Sequence, residues 1–213
     1  MIRYTQVERV NQARIFKEQR LAHQWCKGEG LELGAGAHNP FNLPGSLNVA
    51  PGDDPVFRQA EIEICGMYAE IDIVAEGHDI PVGDGTQDYI ISSHVVEHFP
   101  DPLRAFIEWN RILKPGGIVF MIVPQRNADP HDAKQPVSKI AEIVEAYEQG
   151  YTVDDSPLPV VRRGHYFVYT LDTMLNLIRW ANDNLHLGWE VVAHERRDTK
   201  VGNGFTVVCR KMG

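Results

Sequence analysis

The chain has 213 residues, 43% hydrophobic and 23% charged, the composition of a soluble globular domain with enough apolar material for one sizeable core. A formal net charge of −8 argues against a nonspecific nucleic-acid binder, and the basic doublets Arg162-Arg163 and Arg196-Arg197 read as solvated surface. Three scattered cysteines, Cys26, Cys65 and Cys209, form neither a disulfide framework nor a zinc site. With no signal-like N-terminus and no apolar run long enough to span a bilayer, they point to the cytoplasm.

The first expected element is a helix from about Thr5 to Lys27, on a helical spacing that continues through Leu21 and Trp25. Gly28 and Gly30 stop it. A short strand, Leu31 to Leu33, then runs into Gly34-Ala35-Gly36-Ala37, and a second strand covers Ser46 to Ala50. A weak helical pattern spans Pro55 to Tyr68, and Ile71 to Ala75 reads as a third strand. The run from Asp88 to Ser93 is a fourth strand, apolar enough to be covered on both faces.

Asp101-Pro102 opens a helix whose stripe is Leu103, Phe106, Ile107, Trp109, Ile112 and Leu113. The turn Lys114-Pro115-Gly116-Gly117 leads into a fifth strand, Ile118 to Val123. Strands alternating with helices imply right-handed crossovers and a parallel sheet. Beyond it come a polar stretch, a helix from Ser138 to Gln149, a proline-bearing loop over 150–164, a helix from Leu171 to Asn182, and strands over Trp189–His194 and Gly204–Arg210. The expectation is one domain over 1–213. It divides into the N-terminal helix (5–27), a ligand-binding half (30–124), an insertion or lid (125–170) and a closing helix with strands (171–213).

Glu32-Leu33-Gly34-Ala35-Gly36 is an acid-x-Gly-x-Gly turn at a strand end. Glycine permits a sharp turn and close backbone approach, at the position where open α/β sheets bind nucleotides. This motif resembles the first motif of class I S-adenosylmethionine-dependent methyltransferases. Three later stretches match the same family in order: Glu76-Gly77-His78-Asp79-Ile80-Pro81, then Ser92-Ser93-His94-Val95-Val96-Glu97-His98, then Arg111-Ile112-Leu113-Lys114-Pro115-Gly116-Gly117. The segment His165-Tyr166-Phe167-Val168-Tyr169-Thr170 resembles a stretch of bacterial members acting on small molecules and glycans.

The resemblance implies a doubly wound α/β fold, with a mostly parallel seven-stranded sheet and an antiparallel edge hairpin. It implies S-adenosylmethionine as cofactor and S-adenosylhomocysteine as product. Cofactor contacts are expected at Glu32, Gly34, Ala35, Gly36, Glu76, Gly77, His78, Asp79, Ser93 and His94. The second strand ends in Asn48-Val49-Ala50 where the family places a ribose-binding acid, so Asp53, with Asp54 as alternative, is the substitute.

Transfer needs an acceptor lone pair held in line with the methyl group, and a hydroxyl acceptor wants a general base. His165, His98 and His131 are the candidates, with Asp132 and His94 as further ones and Tyr166 as a weaker donor. His94, Glu97 and His98 have metal-ligand chemistry at helical spacing, which His165 would complete. The Glu-His pair also occurs in members without metal, and none is assigned. The acceptor is read as an O or N of a small molecule or sugar-derived compound, with no nucleic acid or membrane partner and the oligomeric state open. Alternatives are a nicotinamide-dependent oxidoreductase, whose third fingerprint glycine is Asn39 here, and a non-catalytic cofactor-binding subunit.

Overall fold

The computed structural model describes residues 1–7, 16–128, 130, 132–158 and 164–213. His131, Arg162-Arg163 and most of the 5–16 half of the expected first helix lie outside the described residues. In chain order the elements are β1 (Tyr4–Gln6), α1 (Lys17–Trp25), β2 (Gly30–Leu33), β3 (Ser46–Ala50), α2 (Pro55–Cys65), β4 (Met67–Ala69) and β5 (Ile73–Val74). They continue with β6 (Gln87–Ser93), α3 (Pro102–Ile112), β7 (Leu113–Pro124), α4 (Ile140–Gln149), α5 (Leu171–Leu185), β8 (Trp189–Glu195) and β9 (Gly204–Lys211).

Seven strands form one sheet in the order β5-β3-β2-β6-β7-β9-β8. The first five are parallel, and β9 runs antiparallel to both β7 and β8. The expected doubly wound sheet with its edge hairpin is therefore present. The central strands alternate between two cores, as a two-residue period requires. Ile118, Phe120 and Ile122 of β7 pack with Phe16, Ala22 and Phe41 on the α1 face. Val119, Met121 and Val123 pack with Trp109, Leu177 and Met174 on the face covered by α3 and α5.

Several expectations at the start of the chain are corrected. Thr5 is in a strand, not a helix: β1 pairs antiparallel with β4, and the Thr5 hydroxyl donates to Glu70 (2.8 Å). Helix α2 stops at Cys65 because Gly66 takes the left-handed conformation (φ 70°) and releases the chain into β4. The third parallel strand is only Ile73–Val74. Between β2 and β3 the chain runs 34–45 without a helix. Helix α1, from before β2, lends Ala22 to the core on that face.

Asp101 caps α3 by accepting from the Arg104 amide (3.0 Å), with Pro102 in the first turn. Arg111 near its end donates to the carbonyls of Ile80 (3.1 Å) and Val82 (2.9 Å). The loop after β5 is thereby held against the helix.

Candidate active site

The Gly34–Ala37 turn leaves β2 at the carboxyl edge of the sheet. Gly34 sits at φ 57°, in the region that favours glycine. Its amide donates to Val49 O (2.8 Å), and the next amide, of Ala35, donates to Asn48 Oδ1 (2.9 Å). The Ala37 amide donates to Glu61 of α2, and a Cβ on Gly36 would stand 2.9 Å from that carboxylate. Two side chains from neighbouring elements thus fix the turn.

Beside it lies a cavity of about 400 Å³, lined by Gly34, Ala35, Asn48, Ala50, Asp53 and Glu61 among others. Glu32 is buried within β2, and burial pushes its carboxyl up to about 7 against the pull of Lys200. Across the turn, Ser93 Oγ and His94 Nε2 are buried without a hydrogen-bond partner among the described residues. His94 is also held at φ 58°, a conformation costly for a residue with a side chain. Buried polar atoms left open beside a glycine turn are available to a polar ligand.

A second cluster follows β6. Glu97 is 1% exposed, and neither of its carboxylate oxygens has a hydrogen-bond partner among the described residues. Burial pushes it up to about 8, with Asp132 adding to the rise, so it is largely protonated at neutral pH. Its Oε1 lies 3.8 Å from both His94 Nδ1 and His98 Nε2. His165 stands edge-on to His98 with ring centres 4.9 Å apart, and its Nδ1 is 2.8 Å from Asp132 Oδ2. His98 Nδ1 faces the Gly164 carbonyl at 3.2 Å. Desolvation in this packed group, and the neighbouring His165, depress His98 to about 4 and keep it neutral. Glu97, His98 and His165 each present a ligand atom within 4.8 Å of the others, a span one divalent cation could bridge. Beyond His165 a cavity of about 300 Å³ is lined by Gln135, Ser138, Glu142, Tyr166 and Phe167 among others.

The chain matches the Methyltransferase domain family over residues 57–121. It is similar to an uncharacterized methyltransferase of a Mycobacterium species (strain KMS), 43% identical over 35% of this chain and 28% of the relative. It is also similar to a probable S-adenosylmethionine-dependent methyltransferase of Mycolicibacterium smegmatis, 27% identical over 65% of this chain and 57% of the relative. A solved methyltransferase structure from Methanosarcina mazei superimposes with a TM-score of 0.53 at 15% identity, covering 90% of this chain and 97% of the other. Over 57–121 the chain is thus related to the methyltransferase domain family, and its fold is that of the solved S-adenosylmethionine-dependent methyltransferase. It spans about half the length, or less, of the first curated relatives it matches.

The expected cofactor residues do not all gather at one place. Glu32, Gly34, Ala35, Gly36, Ser93 and His94 stand around the turn. Asp53 lines its cavity and pairs with Arg58, whereas Asp54 is occupied by capping α2 through Val56 N (2.8 Å). Glu76 and Asp79 are exposed on the loop after β5, and His78 is half-buried there. The Gly77 carbonyl accepts from Trp109 Nε1 (2.8 Å), and a Cβ at Gly77 would stand 2.6 Å from the Phe99 ring. Packing therefore requires this glycine. His98 and His165 come together as described, and Asp132 joins them. Asn48, Glu61 and Lys200 were not foreseen as site residues. Asn48 lies in β3, the strand whose end lacks the expected acid, which was the available signal; Glu61 and Lys200 gave none.

Proposed function

We propose that this chain is a methyltransferase that transfers the methyl group of S-adenosylmethionine to an O or N of a small-molecule or sugar-derived acceptor, with a hydroxyl oxygen preferred. The observation that carries the preference is the buried His165–Asp132 pair beside a second cavity. Bound S-adenosylmethionine supplies a methyl group already activated on a sulfonium sulfur. The chain's own work is to hold the acceptor in line and to take its proton. Asp132 accepts from Nδ1–H of His165, which leaves the Nε2 lone pair free for the acceptor hydroxyl. In transfer to a hydroxyl, His165 Nε2 would take the acceptor's proton and the Asp132 carboxylate would steady the imidazolium, while the methyl–sulfur bond breaks and S-adenosylhomocysteine leaves. Neutral His98 stands beside His165 and adds no charge of its own. An amine acceptor would arrive deprotonated and need only the positioning.

The acceptor is placed in the cavity between α4 and the His165–Val168 segment, because loops over a rigid sheet carry acceptor sites. Free cysteines and the net charge of −8 support a cytoplasmic location and a partner other than nucleic acid. No helix among the described residues is long and apolar enough to cross a membrane.

The test is a screen of hydroxyl and amine acceptors with S-adenosylmethionine, read by a mass gain of one CH₂. Calorimetry with S-adenosylmethionine and with NADH distinguishes the oxidoreductase alternative. Cofactor binding with no turnover on any acceptor would support the non-catalytic one. Turnover is expected to survive dialysis against EDTA; its loss, restored by a divalent cation, would instead make the Glu97–His98–His165 trio a metal site.

A further inference from the structure

Two segments meet beside the second cavity, and each brings side chains of metal-ligand type. Glu97 and His98 lie on the single turn Val96–His98 after β6, and His165 precedes α5. The segments are fixed together, since the Tyr166 amide donates to Glu97 O (2.8 Å). Spacing in the sequence points to His94, Glu97 and His98. In space, the group whose ligand atoms all lie within 4.8 Å of one another is Glu97, His98 and His165.

Both imidazoles have one nitrogen already committed. Carbonyl and carboxylate oxygens accept, so His98 donates through Nδ1 to Gly164 O (3.2 Å) and His165 through Nδ1 to Asp132 Oδ2 (2.8 Å). The free lone pair of each ring is therefore on Nε2. Histidines that bind metals are commonly held in this way, by a carbonyl or a carboxylate behind the ring.

The carboxyl group is the unusual member. Glu97 is buried, and neither of its oxygens has a hydrogen-bond partner among the described residues. A buried carboxyl group open at both oxygens is costly. Its Oε1 stands 3.8 Å from His98 Nε2, too far for a hydrogen bond. Ligand atoms about 2.0–2.1 Å from a tetrahedral ion are roughly 3.3 Å apart, so a closure of about half an ångström completes that edge. Two imidazoles and a carboxylate suit Zn²⁺ and its first-row neighbours, whereas Mg²⁺ and Ca²⁺ take oxygen ligands.

We propose that Glu97, His98 and His165 form a site for one first-row divalent cation of the Zn²⁺ type, and that filling it stops the transfer reaction. The trio need not hold a resident cofactor to bind a cation. A lone pair on His165 that is given to a metal cannot take the acceptor's proton, so the ion acts as a reversible inhibitor. The binding stands on the trio alone; the inhibition rests on the base reading above. The rival account is a proton in the ion's place, with neutral Glu97 bonded to buried water and no affinity for a cation.

The experiment titrates the EDTA-dialysed full chain with Zn²⁺ by calorimetry, without S-adenosylmethionine, and with Co²⁺ by visible absorption. One Zn²⁺ per chain should bind, and excess Mg²⁺ should not compete. Asp132→Asn removes an outer partner and should weaken binding about 10- to 100-fold. Glu97→Gln and His98→Gln remove ligands and should each weaken it at least as much. No Zn²⁺ bound by wild type, or equal affinity in the ligand variants, would overturn the site, and competition by Mg²⁺ would overturn the ligand class. If the variants do not fold, the Co²⁺ spectrum of wild type decides: intense bands of a four-coordinate ion support the site, and weak six-coordinate bands overturn it. On a hydroxyl acceptor, Zn²⁺ should inhibit wild type at a midpoint matching its Kd, and EDTA should restore the rate. Relative to its own zinc-free rate, Glu97→Gln should need more Zn²⁺ by the factor that its affinity falls. A filled site with an unchanged rate, or a rate that requires the ion, would overturn the inhibition. Failure of the base reading shows separately, as an acid limb retained in His165→Gln, and leaves the binding result standing.

Discussion

His165 Nδ1 lies 2.8 Å from Asp132 Oδ2, and both side chains are buried. An ionised carboxylate only accepts, so this contact places the ring proton on Nδ1 and leaves Nε2 open. His165→Gln should lower turnover on a hydroxyl acceptor by about 10²–10⁴, with cofactor affinity unchanged. Asp132→Asn should fall between that variant and wild type, because the amide can also stabilise the wrong tautomer. The pH–rate profile separates a base from a packing role. Wild type should lose rate on the acid side, and His165→Gln should lose that limb. An unchanged acid limb in the variant, with a lower melting temperature, would leave His165 a structural residue.

Glu32 provides a pH prediction whose sign is fixed by burial. Its folded-state value of about 7 stands above the 4.5 of an ordinary glutamate and already includes the attraction of Lys200. The folded state therefore holds this proton more tightly than the unfolded chain. Its stabilising effect is complete below about 4.5 and is lost as pH rises to about 7. Glu32→Gln mimics the protonated form at every pH. The melting temperature of the ligand-free wild type should fall relative to Glu32→Gln between pH 5 and pH 8. The difference should be several degrees, at about 2–4 °C per kcal/mol for a chain of this size. Parallel curves across that range would mean that Glu32 is solvated or fully paired.

The central sheet was legible because its strands carry a strong local signal. Burial on both faces gives β7 the apolar run Ile118–Val123, bounded by Gly117 and Pro124, and β6 the shorter run Tyr89–Ile91. The three-residue β1 and two-residue β5 carry too few side chains for a period to register. They are set by long-range pairing, such as Tyr4 with Ala69 and Val49 with Ile73. The glycine turn was legible for the same local reason. Its supports were not: Glu61 sits on a weakly patterned helix, and Lys200 on a polar turn where a lysine normally reads as solvent-exposed. What buries Lys200 is the meeting of segments more than 150 residues apart, Asn39 with Lys200 and Glu18 with Thr199.

Gly34 tests the turn directly. With φ at 57°, an alanine there would carry about 1–2 kcal/mol of backbone strain, although its Cβ would meet only Val95 Cγ2, at 3.3 Å. Gly34→Ala should therefore fold with a melting temperature lower by a few degrees. Gly34→Val adds branches on the cofactor side and should abolish S-adenosylhomocysteine binding in calorimetry. A Gly34→Val protein that binds with wild-type affinity would place the cofactor elsewhere.

The loop after β5 lets the proposed adenine contact be tested apart from a packing contact. Glu76 is exposed on a short turn closed by the Asp79 amide donating to Glu76 O (3.0 Å), so its carboxylate is free to meet a ligand amine. An acceptor facing the adenine amino group contributes about 0.5–1.5 kcal/mol, or 1.5–3 when charged. Glu76→Ala should then weaken binding of S-adenosylhomocysteine and 5′-methylthioadenosine alike, about 2- to 100-fold, because both carry adenine. Its melting temperature should not move, since the side chain has no hydrogen bond to lose among the described residues. Gly77→Ala should do the reverse. Its methyl group would stand 2.6 Å from the Phe99 ring, and its carbonyl is held by Trp109, so the first effect is on packing. Thermal unfolding should show a loss of about 1–3 kcal/mol, and cofactor affinity per folded molecule should change less than in Glu76→Ala. If Glu76→Ala lowered turnover without touching either affinity, the adenine would have to be held elsewhere, with Asp79 the next carboxylate to replace.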